Sequence, residues 1–156
     1  MSHVGKIVVA GVVLALVARL LWRRWRTAQQ RAQRRLAVLQ FGDLQNALGQ
    51  EFLAAAAASG KPRGLRWKTC HLHDKLLFAC DRTTEELHAL VGVTVSFEAI
   101  QGGDMEDVEA VGNLRYATAI FTYRQGRWTT DGRVAFNLEP AQTLERYRES
   151  LVVLSD

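Results

Sequence analysis

LHALVGVTVSFE, residues 87–98, alternates with a period of two. Leu87, Ala89, Val91, Val93, Val95 and Phe97 fall on one side. His88, Leu90, Gly92, Thr94, Ser96 and Glu98 fall on the other. Successive side chains of a strand point to opposite faces, so one face is apolar and the other mostly polar or small. That pattern predicts an antiparallel strand with one side on a core and a solvated opposite face.

Working backwards, Leu65 to Leu72 reads as a strand, His73-Asp74-Lys75 as a turn, and Leu76 to Asp81 as its partner. Asp81 to Glu86 is a polar turn into the long strand. Before Gly64 the period becomes helical. Leu44, Leu48, Phe52 and Ala56 form an i+4 row, the core-facing side of an amphipathic helix. Gly42 marks a break before it, and Asp43 suits its N-cap. Ser59-Gly60-Lys61-Pro62 stops it.

Working forwards, Gln101 to Asp104 breaks the long strand, and Met105 to Val111 suits a short helix. Arg115 to Tyr123 is rich in β formers and turns at Arg124-Gln125-Gly126. Trp128 to Thr130 and Arg133 to Leu138 follow, separated by Asp131-Gly132 as a turn or bulge. Pro140 at N1 opens a final helix with Leu144 and Tyr147 on one side and Leu151 beyond. Helices grouped at the ends of an antiparallel series define an α+β class, with a curved sheet of about five strands packed on helix 43–58. The outline resembles cystatin-like and NTF2-like folds, in which a sheet curls around a helix. That likeness is one of architecture and implies no function.

The N-terminal segment is different in kind. IVVAGVVLALVARLLW, residues 7–22, carries one charge, Arg19, and is followed by Arg23, Arg24, Trp25 and Arg26. A membrane-spanning helix needs roughly 20 predominantly apolar residues, with about 17 as the lower limit. Val4 to Trp22 meets that limit, and Arg19 sits one turn from the end, where its stem can reach the headgroups. Trp22 and Trp25 occupy the place of an interfacial aromatic belt. The cationic side lies after the apolar run, which is the reverse of a cleaved signal peptide. The run is apolar all round, unlike a helix lying on a surface. The domains expected are therefore an anchor at 1–22, a basic juxtamembrane stalk at 23–42 and an α+β domain at 43–156.

Charge orients the anchor. Lys6 and the amine precede it, whereas Arg23, Arg24, Arg26, Arg31, Arg34 and Arg35 follow it with no acid among them. The positive-inside bias puts the N-terminus outside and the domain in the cytoplasm, the collar facing anionic inner-leaflet lipid. The net charge of +4 is unevenly placed. Residues 1–35 hold Lys6 and seven arginines, which leaves the rest acidic by four. An acidic domain is a poor fit to nucleic acid, which is bound by neutralising phosphate. Two cysteines are too few for a disulfide scaffold.

No motif names a reaction. Cys70, His71, His73, Asp74 and Cys80 are metal-ligand types. On a hairpin turning at Lys75, the two thiols would share a face without the histidines, and no C-x₂-C knuckle is present. His88 and Glu98 lie about 33 Å apart on a straight strand, too far for an acid–base pair. Gly102 to Glu109 lacks the ligand spacing of a calcium loop and reads as a capped helix start. The residues thus name no metal, no cofactor and no nucleophile. The function they favour is a non-catalytic module that binds a protein partner or a second copy of itself. The alternative is a small-ligand binder or unrecognised enzyme, with a mouth between sheet and helix lined by Trp67, His88, Tyr116, Tyr123 and Trp128.

Overall fold

The computed structural model describes residues 3–59 and 62–154, with the side chains of 3–10 and of 110 left aside. The elements, in order, are helix α1 (His3–Ala58), β1 (Leu65–Asp81), β2 (Leu87–Ala99), a 3₁₀ turn (Glu109–Gly112), β3 (Arg115–Arg124), β4 (Arg127–Thr129), β5 (Val134–Phe136), α2 (Pro140–Arg146) and β6 (Leu151–Val153). The class is α+β with one antiparallel sheet packed against helices. The sheet has six strands in the order β4-β3-β2-β1-β6, with β5 also on β3. The chain divides into two compact units, Met1–Leu36 and Ala37–Asp156.

α1 carries good helix formers almost throughout and no proline before Pro62. The break expected at Gly42, with Asp43 as N-cap, is absent: the helix runs through both residues. A glycine costs a helix interior roughly 0.5–1 kcal/mol. Burial of the adjacent Phe41 side chain outweighs that, being worth about 1.5–3 kcal/mol. The core row is Ala37, Phe41, Leu48, Phe52 and Ala56, all buried, whereas Leu44 is exposed. Ala37 and Phe41 of this helix thus already belong to the core of the second unit. The helix stops at Ala58, where the Ser59 hydroxyl donates to the Ala56 carbonyl at 2.6 Å. Gly60 and Lys61, the rest of the expected stop, lie outside the described residues.

β1 corrects a second expectation. Residues 65–81 are one strand, not a hairpin. Residues His73-Asp74-Lys75 form a bulge between Leu72, opposite Val93, and Leu76, opposite Val91. A bulge absorbs extra residues while pairing resumes in the same direction, so the polar triplet bends the strand and does not reverse it. β2 pairs with β3 from Leu87–Tyr123 to Val95–Arg115. Its apolar side meets α1 in an aromatic core. Phe41 contacts Phe78, Phe121 and Trp128, and Phe52 contacts Trp67 and Phe121. The indole of Trp128 donates to the Ala37 carbonyl at 2.9 Å.

The other face of β2 is not a solvated one. His88, Leu90, Gly92 and Ser96 are buried. α2 lies against β1 and β2, with Pro140 and Thr143 buried. Pro140 does sit at the start of α2, but that helix ends at Arg146, and Leu151 belongs to β6 on the edge of β1. The helix expected at 105–111 is reduced to turns and the 3₁₀ segment. Seven residues make fewer than two turns after Gly102-Gly103, too short a run to offset the cost of a helix nucleus.

Among the described residues, no helix is long and apolar enough to cross a membrane. From Gly11 onward the run soon meets Arg19, Arg23, Arg24 and Arg26. The first part of the expected anchor, Val4–Ala10, lies outside the described side chains.

Candidate functional site

Two surfaces stand out, one apolar with a basic flank and one polar. The first lies in unit Met1–Leu36. Val12, Val13, Leu14, Leu16, Val17, Leu20, Leu21, Trp22 and Trp25 are each 49–75% exposed. They occupy every side of the helix, because consecutive positions are included. The expected interface residues follow directly. The Arg26 guanidinium sits 5.6 Å from the Trp22 ring centroid, one turn away. Arg19, Arg23 and Arg24 are exposed, as is Trp25. One side of the next turns carries Arg24, Thr27, Ala28, Arg31, Ala32, Arg35 and Leu36, small residues framed by arginines. The Thr27 hydroxyl donates back to the Arg24 carbonyl at 2.9 Å.

The second surface lies on the sheet beside α2. Thr94 of β2 pairs with Tyr116 of β3. His73, carried onto the same face by the bulge, shares a hydrogen bond of 2.6 Å with the Thr94 hydroxyl. Its ring stacks on Tyr116 at 5.7 Å between centroids. Lys75 closes the group through a 2.6 Å ion pair with Glu139, the N-cap of α2. The Glu139 carboxylate beside it raises the ammonium pKa above its ordinary value. The Tyr116 hydroxyl oxygen is buried with no hydrogen-bond partner among the described residues. Only the missing side chain of Gly92 makes room for it, since a Cβ there would stand 2.5 Å from that oxygen.

The rings expected to line one mouth are divided between the faces. Trp67 packs on Phe52, Phe97 and Phe136, and Trp128 on Phe41, Phe78 and Tyr123. These three, Trp67, Trp128 and Tyr123, belong to the α1 side. Tyr116 and His88 belong to the other side, and the register puts His88 opposite Thr122, six rows from Tyr116. His88 Nδ1 lies 3.0 Å from the Thr122 hydroxyl, and burial pushes its pKa below the ordinary value. The five do not converge on one point.

The cysteines are also apart. Cys70 lies opposite Val95 and Cys80 opposite Leu87, so both thiols do face the α1 side, but eight rows of β2 apart and not side by side as a hairpin would put them. Burial pushes the Cys70 thiol up to about 11, and Cys80 is buried. Among the described residues, no three His, Cys, Asp or Glu side chains gather as metal ligands. Sequence reasoning missed the Lys75–Glu139 pair because it joins residues 64 positions apart. The local part was readable: Glu139-Pro140-Ala141-Gln142 forms a capping box, with the Glu139 amide donating to Gln142 Oε1 at 2.9 Å.

No family model matches the chain, and comparisons with curated proteins and with solved structures find no similar protein.

Proposed function

We propose that the chain is a single-pass membrane protein whose first 22 residues are the anchor. Its N-terminus faces outside and its α+β domain faces the cytoplasm, where it acts as a non-catalytic module for protein interaction or self-association. The observation that carries the anchor is the all-round exposure of Val12 to Trp25 on one helix. Contiguous apolar patches of that kind are rare on soluble proteins and are covered by lipid or protein. The arginine collar after it supplies the orientation and a fit to anionic inner-leaflet lipid. The interaction role is supported by a core filled with aromatic side chains and by a sheet whose reactive residue types are dispersed, with no nucleic-acid footprint.

The native thiols are poor reporters of topology, since one is buried and the other is held protonated. The test therefore uses a single new cysteine, Arg127→Cys, in a full-length Cys70→Ala, Cys80→Ala chain. Carbonate-washed membranes should retain the protein, and an impermeant maleimide should label it only after lysis. Release by carbonate removes the anchor. Labelling in intact cells reverses the orientation.

A further inference from the structure

We propose that the domain pairs with a second copy of itself through the outer edge of β1, in an antiparallel arrangement centred on His71. This rests on the self-association reading above and names the surface it uses.

β1 has seventeen residues, but β6 covers only Ala79, Cys80 and Asp81 of its outer edge. Among the described residues, no strand pairs with that edge from Lys68 to Leu77. An uncovered edge presents a row of unpaired N–H and C=O groups, which is a template for another strand. Within it, the regular stretch is short. Register shifts fall between Trp67 and Thr69 and between Leu72 and Leu76, leaving Thr69 to Leu72 in uninterrupted pairing with β2.

Charge selects the occupant. Lys68 and Asp74 flank this stretch, both exposed and neither in an ion pair among the described residues. The nearby charges Arg66 and Lys75 are already engaged, by Glu98 and Glu139. In a two-fold antiparallel pair centred on His71, Thr69 meets His73, Cys70 meets Leu72, and Lys68 of each copy meets Asp74 of the other. Opposite charges across paired strands are favourable, and the symmetry supplies the contact twice.

The geometry also closes the assembly. The two bulges, at Lys68 and at His73-Asp74-Lys75, bound the pairing edge and place the two charges at its ends. At the far side of the sheet, β3 is covered by two short strands, β4 at 122–124 and β5 at 117–119. The outermost strands β4, β5 and β6 are three residues each, so among the described residues the 68–77 edge of β1 is the longest uncovered one, and a self-complementary edge gives a dimer and not a fibre.

The test uses the full chain in its membrane, with Cys70→Ala and Cys80→Ala. Symmetry-related residues of an antiparallel pair lie about 4.5–5.5 Å apart between Cα atoms, within disulfide range. His71→Cys should form an oxidised dimer at least about tenfold faster than Arg127→Cys on β4, taking one decade as the margin. Lys68→Asp or Asp74→Lys should each slow it, and the double exchange should restore it, which a merely structural role would not do. Thermal melts check that each variant is folded. On the unsubstituted chain, the alternate amides of residues 69–73 that point away from β2 should gain exchange protection as protein concentration rises. A chemically cross-linked oligomer without preference for residue 71 overturns the edge and leaves self-association standing. A monomeric mass in detergent and in lipid discs, with no protection, overturns both.

Discussion

The Tyr116 hydroxyl, like the Thr143 hydroxyl, is a buried polar atom left without a hydrogen bond among the described residues. It is accommodated only because residue 92 is glycine. An unsatisfied buried hydroxyl costs roughly 1–3 kcal/mol. Tyr116→Phe should therefore be neutral or stabilising by up to about 1 kcal/mol in denaturant unfolding. A loss larger than that would reveal a partner for the hydroxyl. His88 makes a different prediction. Burial lowers its folded pKa below the ordinary 6.5, so the unfolded chain takes up the proton more readily. The stabilising effect is present above pH 6.5 and is lost as pH falls through the unfolded pKa toward the lower folded one. Thermal stability should drop between pH 7 and pH 5, and His88→Gln should flatten that part of the slope. An unchanged slope would assign the drop to other groups. The sequence singled out both residues as lining of one mouth, a role their separate places on the sheet do not give them. The alternation of 87–98 fixes which face His88 takes, but not that α2 covers that face.

Helix α1 separates what periodicity can tell from what it cannot. The i+4 row of Leu48, Phe52 and Ala56 was legible, because it is local. Its continuation through Phe41 and Ala37 was hidden behind Gly42, since a glycine looks like a stop until the packing partner is known. Phe41 is held by Phe78, Phe121 and Trp128, from three strands far along the chain. Phe41→Ala should cost about 3–5 kcal/mol, as large-to-small core changes do. Leu44→Ala, on the exposed side, should stay within about 0.5 kcal/mol. Equal effects, measured by denaturant melts, would show that Phe41 is not a core residue. The β4–β5 connection meets the same helix. Gly132 has φ near +75°, and a Cβ there would lie 2.6 Å from Ala56 Cα. Gly132→Ala combines a disfavoured backbone with a clash against helix backbone. It should lose at least about 2 kcal/mol, or fail to accumulate. The hairpin expected around Lys75 failed for a related reason. His73-Asp74-Lys75 has the composition of a turn, and only the continuous pairing with β2 makes it a bulge.

For the whole molecule, charge is partitioned along the chain. Residues 1–35 are basic without an acid, and the remainder is net acidic. The membrane reading assigns the two parts different work. Replacing Arg31, Arg34 and Arg35 with Gln should leave carbonate-resistant insertion intact. The same change should weaken binding of the juxtamembrane turns to anionic vesicles by at least about tenfold. Unchanged vesicle binding would make those arginines determinants of orientation alone. The unit boundary at Leu36/Ala37 gives that experiment a clean design, since all three arginines precede the first core residue. The contact between Trp128 and the Ala37 carbonyl has a consequence for how the chain is made. The two residues are 91 positions apart, and the helix that waits for the indole is synthesised first. At about 5–20 residues per second, Phe41 and its neighbours leave the ribosome roughly 5–20 s before the strands that cover them. For that interval Phe41 and Phe52 have no strand to bury them, which makes this helix the stretch through which neighbouring nascent chains would meet.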